Sequence, residues 1–133
     1  MTITIDGGAG ITFPDTVQQT NGMTMTGGNP KYYAARAWVN FNGSGTVAIR
    51  AAVNVSSITD NGTGNYTVNF TTAMTDTNYA TVCTGSRTDS PNTNGVFQIL
   101  EGGTYSTSAV QLLNQTNNGD NVDIDFGCVA IFR

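Results

Sequence analysis

The chain has no histidine, a single glutamate (Glu101) and a single lysine (Lys31), and only 11% of its 133 residues are charged. General acid–base and nucleophilic catalysis lean on those groups, so the usual catalytic constellations cannot be assembled from this composition. Aspartates remain. Asp123 and Asp125, about 7 Å apart if they share a strand face, are the pair best spaced for glycosidase chemistry. Against so thin a set of ionisable groups, the expectation is a protein that is not an enzyme and calls for no cofactor.

Other absences narrow the field further. The formal net charge is −4 and the four arginines are scattered, so no basic stripe exists to follow a phosphate backbone, and nucleic acid is not an expected partner. No apolar run approaches the ~18 residues of a membrane span, so membrane insertion is not expected. The N-terminal MTITIDGGAG lacks the basic flank and apolar block of a signal peptide, which argues against ordinary secretion. Of the two cysteines, Cys83 and Cys128, neither sits in a CxxC. They form no metal motif. Both fall in apolar strand patterns, where free thiols suit a reducing compartment; a Cys83–Cys128 disulfide is the alternative if their strands are neighbours.

What the chain does contain is Thr, Asn, Ser and Gly, residues that favour strands and tight turns over helices. Val39 and Phe41 alternate with Trp38 and Asn40. After the turn Asn42-Gly43-Ser44-Gly45, the residues Val47, Ile49, Ala51, Val53 and Val55 fall on one face of a long strand. A second turn over Asp60–Asn65 leads into Tyr66, Val68 and Phe70, with Thr67 and Asn69 between them. This period of two marks sheets with one dry side. Further strands are expected over 78–84, 96–100, 107–113 and 122–132, with a polar loop at 85–95. In the last strand, Val122, Ile124, Phe126, Cys128, Ala130 and Phe132 share one face, while Val129 and Ile131 lie on the other and call for a covering surface of their own. The fold class expected is all-β, an antiparallel β-sandwich of about seven or eight strands over residues 32–133. Residues 1–31 carry few bulky apolar side chains. Short strands at Ile3–Ile5 and Ile11–Phe13 aside, they read as an extended N-terminal arm for docking or intersubunit contact, ending near Asn29-Pro30.

Three groups of residues stand out as candidate sites. Asp120, Asp123 and Asp125 offer hard oxygen ligands at two- and three-residue spacing and read either as a solvated strand face or as a cation site, without the glycine and terminal glutamate of an EF-hand. Tyr32, Tyr33 and Trp38 form an aromatic cluster that suits either a subunit interface, the preferred reading, or stacking on a host glycan. The row Arg36, Trp38 and Asn40, together with Val129 and Ile131, is the candidate oligomer interface.

The segment from Ala35 to Tyr79, ARAWVNFNGSGTVAIRAAVNVSSITDNGTGNYTVNFTTAMTDTNY, resembles a module that recurs in tail-fibre and other virion structural proteins of tailed bacteriophages, including cyanophages. The closing CVAIFR is similar to that module's usual end. Upstream, GITFPDTVQQT is similar to the ITFPDGTxQ segments found near such modules, with Asp15-Thr16 where Asp-Gly-Thr is usual. The stretch 85–121 has no counterpart. The resemblance implies a non-enzymatic structural protein, assembled in the host cytoplasm and exposed on the tail, neck or head of the virion. It also implies a homotrimer, and for such a particle the arm 1–31 read above is the part expected to contact other phage structural proteins. A capsid decoration protein and a glycan-binding adhesin for host attachment are the alternatives. It transfers no site residues.

Overall fold

A computed structural model describes Thr4–Asp6, Gly10–Thr12 and residues 34–88 and 96–133. The chain divides into two units, Met1–Ala34 and Ala35–Arg133. In the first, β1 (Thr4–Asp6) pairs antiparallel with β2 (Gly10–Thr12), with Ile5 opposite Ile11. Strands are therefore present at both places where isoleucines mark the sequence. Tyr32 and Tyr33, most of the arm 1–31 and the part of the polar loop at 89–95 lie outside the described residues.

The second unit is an all-β sandwich of eight strands in two antiparallel sheets, with no helix among the described residues. Its strands are β3 (Ala35–Asn42), β4 (Ala48–Val53), β5 (Val55–Asp60), β6 (Asn65–Phe70), β7 (Ala80–Ser86), β8 (Val96–Ile99), β9 (Ala109–Gln115) and β10 (Phe126–Phe132). One sheet runs β4-β3-β10-β7 and the other β5-β6-β9-β8. Between them lie Val39, Phe41, Tyr66, Val68, Val110, Leu112, Ile124, Val129 and Ile131, all almost wholly buried. The Phe41, Tyr66 and Phe97 rings meet at tilted or edge-on angles, the arrangement that aromatic quadrupoles favour.

The alternation in β3 and β6 holds as read from the sequence, with Val39 and Phe41 inward and Trp38 outward, and with Tyr66, Val68 and Phe70 all inward. Two expectations are corrected. First, the long strand from 47 to 55 is two strands in different sheets. Asn54 stands between them with φ 55, a left-handed conformation that asparagine tolerates better than most residues. Its side-chain amide donates to Arg36 O at 3.1 Å and Thr72 O at 3.0 Å, while its Oδ1 accepts from Thr72 N at 2.7 Å, so the corner where the chain changes sheets is satisfied from both sides.

Within β4 a bulge also breaks the parity. Asn40 pairs with Ala51 but Phe41 pairs with Ile49, so Arg50 is an extra residue without a partner. Val47 and Ala52 both pack against the core although five positions separate them, and Val53, opposite outward Trp38, is 50% exposed. Val53→Asp is therefore expected to leave a folded domain, with a stability change of about 1 kcal/mol or less, because a half-exposed carboxylate keeps its water. Urea unfolding of the variant checks this. A failure to fold would return Val53 to the core.

Second, the face of the last strand is the reverse of the one expected. Val129 is 4% and Ile131 1% exposed, opposite Val39 and Ala37, whereas Phe126, Cys128 and Ala130 lie on the outward face with Trp38 and Asn40. Val129 and Ile131 are thus core residues and leave the candidate interface. Their covering surface is the other sheet of the same domain.

Candidate interaction surface

The middle of the outward face of the β4-β3-β10-β7 sheet is built from short and apolar side chains around the Trp38 ring. Cross-strand register sets Trp38 beside Val53 on one flank and beside Ala130 on the other, with Val82 opposite Ala130 on β7. Because Ala130 and Cys128 are small, the sheet sinks between Trp38 and Val82 into a shallow apolar depression of about 230 Å³ that Thr84 also lines. Trp38 is 38% exposed and Val82 60%. Exposed apolar residues scattered singly need no explanation, but neighbours on one sheet face do.

At one end of this face, Arg50 lies across the sheet. Its Nη1 donates to Phe41 O at 2.8 Å, and its guanidinium sits 4.4 Å above the centre of the Phe126 ring, two strands away. The bulge that costs β4 its regular pairing is what frees Arg50 to take this position. Arg36 is exposed at the other end of the Trp38 row, and Asn40, half-buried, donates to Cys128 Sγ at 3.4 Å. The outward side chains of the four strands include no carboxylate and no histidine, so this face offers contact area and hydrogen-bond donors but no acid–base pair.

The three aspartates are not brought together. Residues 122–125 cross the end of the sandwich rather than extending β10. Asp123 turns inward, where its Oδ1 accepts from Gly64 N at 2.8 Å and lies 3.1 Å from the Tyr66 hydroxyl. Asp125 accepts from Thr88 N at 2.6 Å and Thr88 Oγ1 at 2.7 Å, and Asp120 is exposed on a separate turn. Among the described residues no group of three or more acidic, cysteine or histidine side chains is placed to hold a metal ion.

The Thr88 side-chain and backbone hydrogen bonds hold the Asp125 carboxyl below the usual carboxylate range. A depressed folded-state pKa stabilises the fold above the ordinary carboxylate value of about 4, and that contribution is lost as pH falls through the depressed value. The backbone at Thr88, just past β7, should therefore loosen in acid before the sandwich unfolds. A protection factor at Thr88 that falls below pH ~4 while those of β3 and β10 hold would check this; a protection factor that is flat with pH would remove the carboxylate as the anchor.

Cys83 and Cys128 are both free. Their strands are neighbours, but Cys83 faces inward, donating to Phe97 O at 3.1 Å, and Cys128 faces outward. Opposite faces of one sheet exclude a bond between them. Burial pushes the Cys83 thiol up, away from reactive thiolate.

Of the residues singled out in the sequence, the structure thus brings together Arg36, Trp38 and Asn40, and adds Arg50, Val53, Val82, Phe126, Cys128 and Ala130, which the sequence reading had placed in the core or left without a role. For Val82 there was little signal, since TVCTG sets it in one row with Thr84 and Cys83 in the other with Thr81, and neither row is the clearly apolar one. For Arg50 there was none, because a bulge has no fixed sequence mark. No family model matches the chain, and no curated protein or solved structure matches it either.

Proposed function

We propose that this chain is a non-enzymatic structural protein of a tailed-phage particle, exposed on tail, neck or head, and that it works as a homotrimer associating through the outward face of the β4-β3-β10-β7 sheet. The observation that carries self-association is that face itself: contiguous, apolar, free of carboxylates and centred on Trp38. The virion role is supported by the resemblance of residues 35–79 and of the closing 128–133 to modules of phage fibre proteins. In this reading residues 1–31 engage other particle proteins. A small sandwich gains from such a contact, since a domain of this size leaves much of its apolar surface near solvent.

Trp38 is the only tryptophan of the chain, so its emission reports on the proposed contact directly. Sedimentation at micromolar concentration is expected to give a trimer whose Trp38 emission moves to longer wavelength on dilution, and Trp38→Asp is expected to give a folded protein that no longer forms the trimer. A wild-type monomer with unchanging emission would overturn the trimer. A second reading, a glycan-binding adhesin, draws on the same depression, where a sugar ring can stack on Trp38 with Asn40 alongside. It predicts a change in Trp38 emission on adding host glycan to a protein that stays monomeric.

A further inference from the structure

We infer that the free edge of β7 is a strand-pairing site that takes β7 of a second copy, joining two four-stranded sheets into one of eight strands. Every open sheet presents two edges with unpaired N–H and C=O groups, and proteins guard them with charge, bulges, proline or shortness. The sandwich has four edges. β4 carries the Arg50 bulge, β5 carries a bulge at Ser56 and ends in Asp60, and β8 has only four residues. β7 has none of these guards: seven residues, ATVCTGS, without charge or proline, paired to β10 in unbroken register from Ala80 to Ser86. Among the described residues, no strand is hydrogen-bonded to its other side; β8, in the opposite sheet, lies nearby and accepts from Cys83 Sγ through Phe97 O at 3.1 Å.

The choice of a second β7 as occupant follows from the same comparison. Pairing β7 with any other edge of another copy would bring it against a bulge, a charge or a short strand, whereas β7 against β7 opposes two unguarded, uncharged edges. A two-fold antiparallel pairing sets no like charges opposite one another and leaves Val, Thr, Ser and Ala side chains as cross-strand neighbours. The apolar depression points the same way, because it runs out to this edge through Val82 and would continue onto the partner's sheet. This contact is distinct from the outward-face contact proposed above, and neither requires the other.

Backbone amide exchange separates the two. With wild-type protein, alternate amides between Ala80 and Ser86 are expected to exchange about tenfold more slowly at high concentration than at dilution, while the β4 edge is unchanged. Trp38→Asp, which acts on the outward face, should leave that protection in place. Val82→Lys, which puts a charge beside the edge on an exposed side chain, should remove it. Exchange in β7 that does not depend on concentration overturns the inference, whether the protein is a monomer or a trimer. Protection that Trp38→Asp abolishes overturns it too, since it would then belong to the face and not to the edge.

Discussion

Gly64→Ala is expected to cost the domain about 2–5 kcal/mol of stability. Gly64 has φ +70, and a Cβ on it would lie 2.6 Å from Asn114 O, 2.8 Å from Val122 O and 2.9 Å from Val122 N. Those are backbone atoms, held in turn by the Asn114 side chain on Val122 O at 2.8 Å and by Asn114 N on Gly64 O at 2.8 Å, so none can swing aside. A left-handed conformation costs a residue with a Cβ about 1–2 kcal/mol, and overpacking a buried site adds about 1–3 kcal/mol. The sum, about 2–5 kcal/mol, compares with a total of about 5–15 kcal/mol for a typical domain. Thermal melting of Gly64→Ala should show a loss of this order or no folded protein. A melt within a degree or two of wild type would mean that the 120–125 segment does not lie against Gly64.

Tyr66→Phe is expected to cost about 2–4 kcal/mol while leaving the fold intact, because it removes one oxygen at which three chain segments meet. The Tyr66 hydroxyl donates to Gly43 O at 2.8 Å, lies 3.1 Å from Asp123 Oδ1, and accepts from Ile124 N at 3.3 Å. Tyr66 belongs to the β5-β6-β9-β8 sheet, Gly43 to the turn after β3 in the other sheet, and Ile124 to the segment closing the end of the sandwich. Gly43 is also constrained to be glycine here, since a Cβ would meet the Tyr66 ring at 2.7 Å. Burial pushes the Tyr66 phenol above its ordinary range, which keeps the proton it donates. Phenylalanine keeps the ring contacts with Phe41 and Phe97 and isolates the hydroxyl. Urea unfolding should show a lower midpoint with an unchanged slope; an unchanged midpoint would mean that water replaces the hydroxyl at no cost.

The candidate surface was legible in the sequence only in part. Trp38, Arg36 and Asn40 could be placed outward because Val39 and Phe41, bulkier and apolar, must take the other side of β3. β7, β10 and β4 were harder, for different reasons. In β10 both parities are apolar: Phe126, Cys128 and Ala130 compete with Val129 and Ile131, and hydrophobicity alone does not separate the two sets. The structure decides through Gly127, which must face inward because a Cβ there would collide with the Phe41 ring, with Cζ at 2.5 Å, and with Ile124 Cδ1 at 2.8 Å. In β4 the alternation was real, but the bulge at Arg50 shifted it by one residue, and a shift of one turns every later side chain to the other face.

By itself the sequence determined the all-β class, the turns at 42–45 and 60–65, and the inward rows of β3 and β6, because β-branched and aromatic residues at a period of two have only one way to leave water. It also determined the scarcity of chemistry, since side chains that are absent cannot be supplied by folding. Tertiary structure decided which side of β4 and β10 is buried, where the chain changes sheets at Asn54, and that Asp123 and Asp125 act as hydrogen-bond acceptors for distant segments. Those outcomes depend on contacts between residues far apart in the chain, the Phe41 ring over Gly127 and the Tyr66 hydroxyl at Gly43 among them, and no local period encodes such contacts.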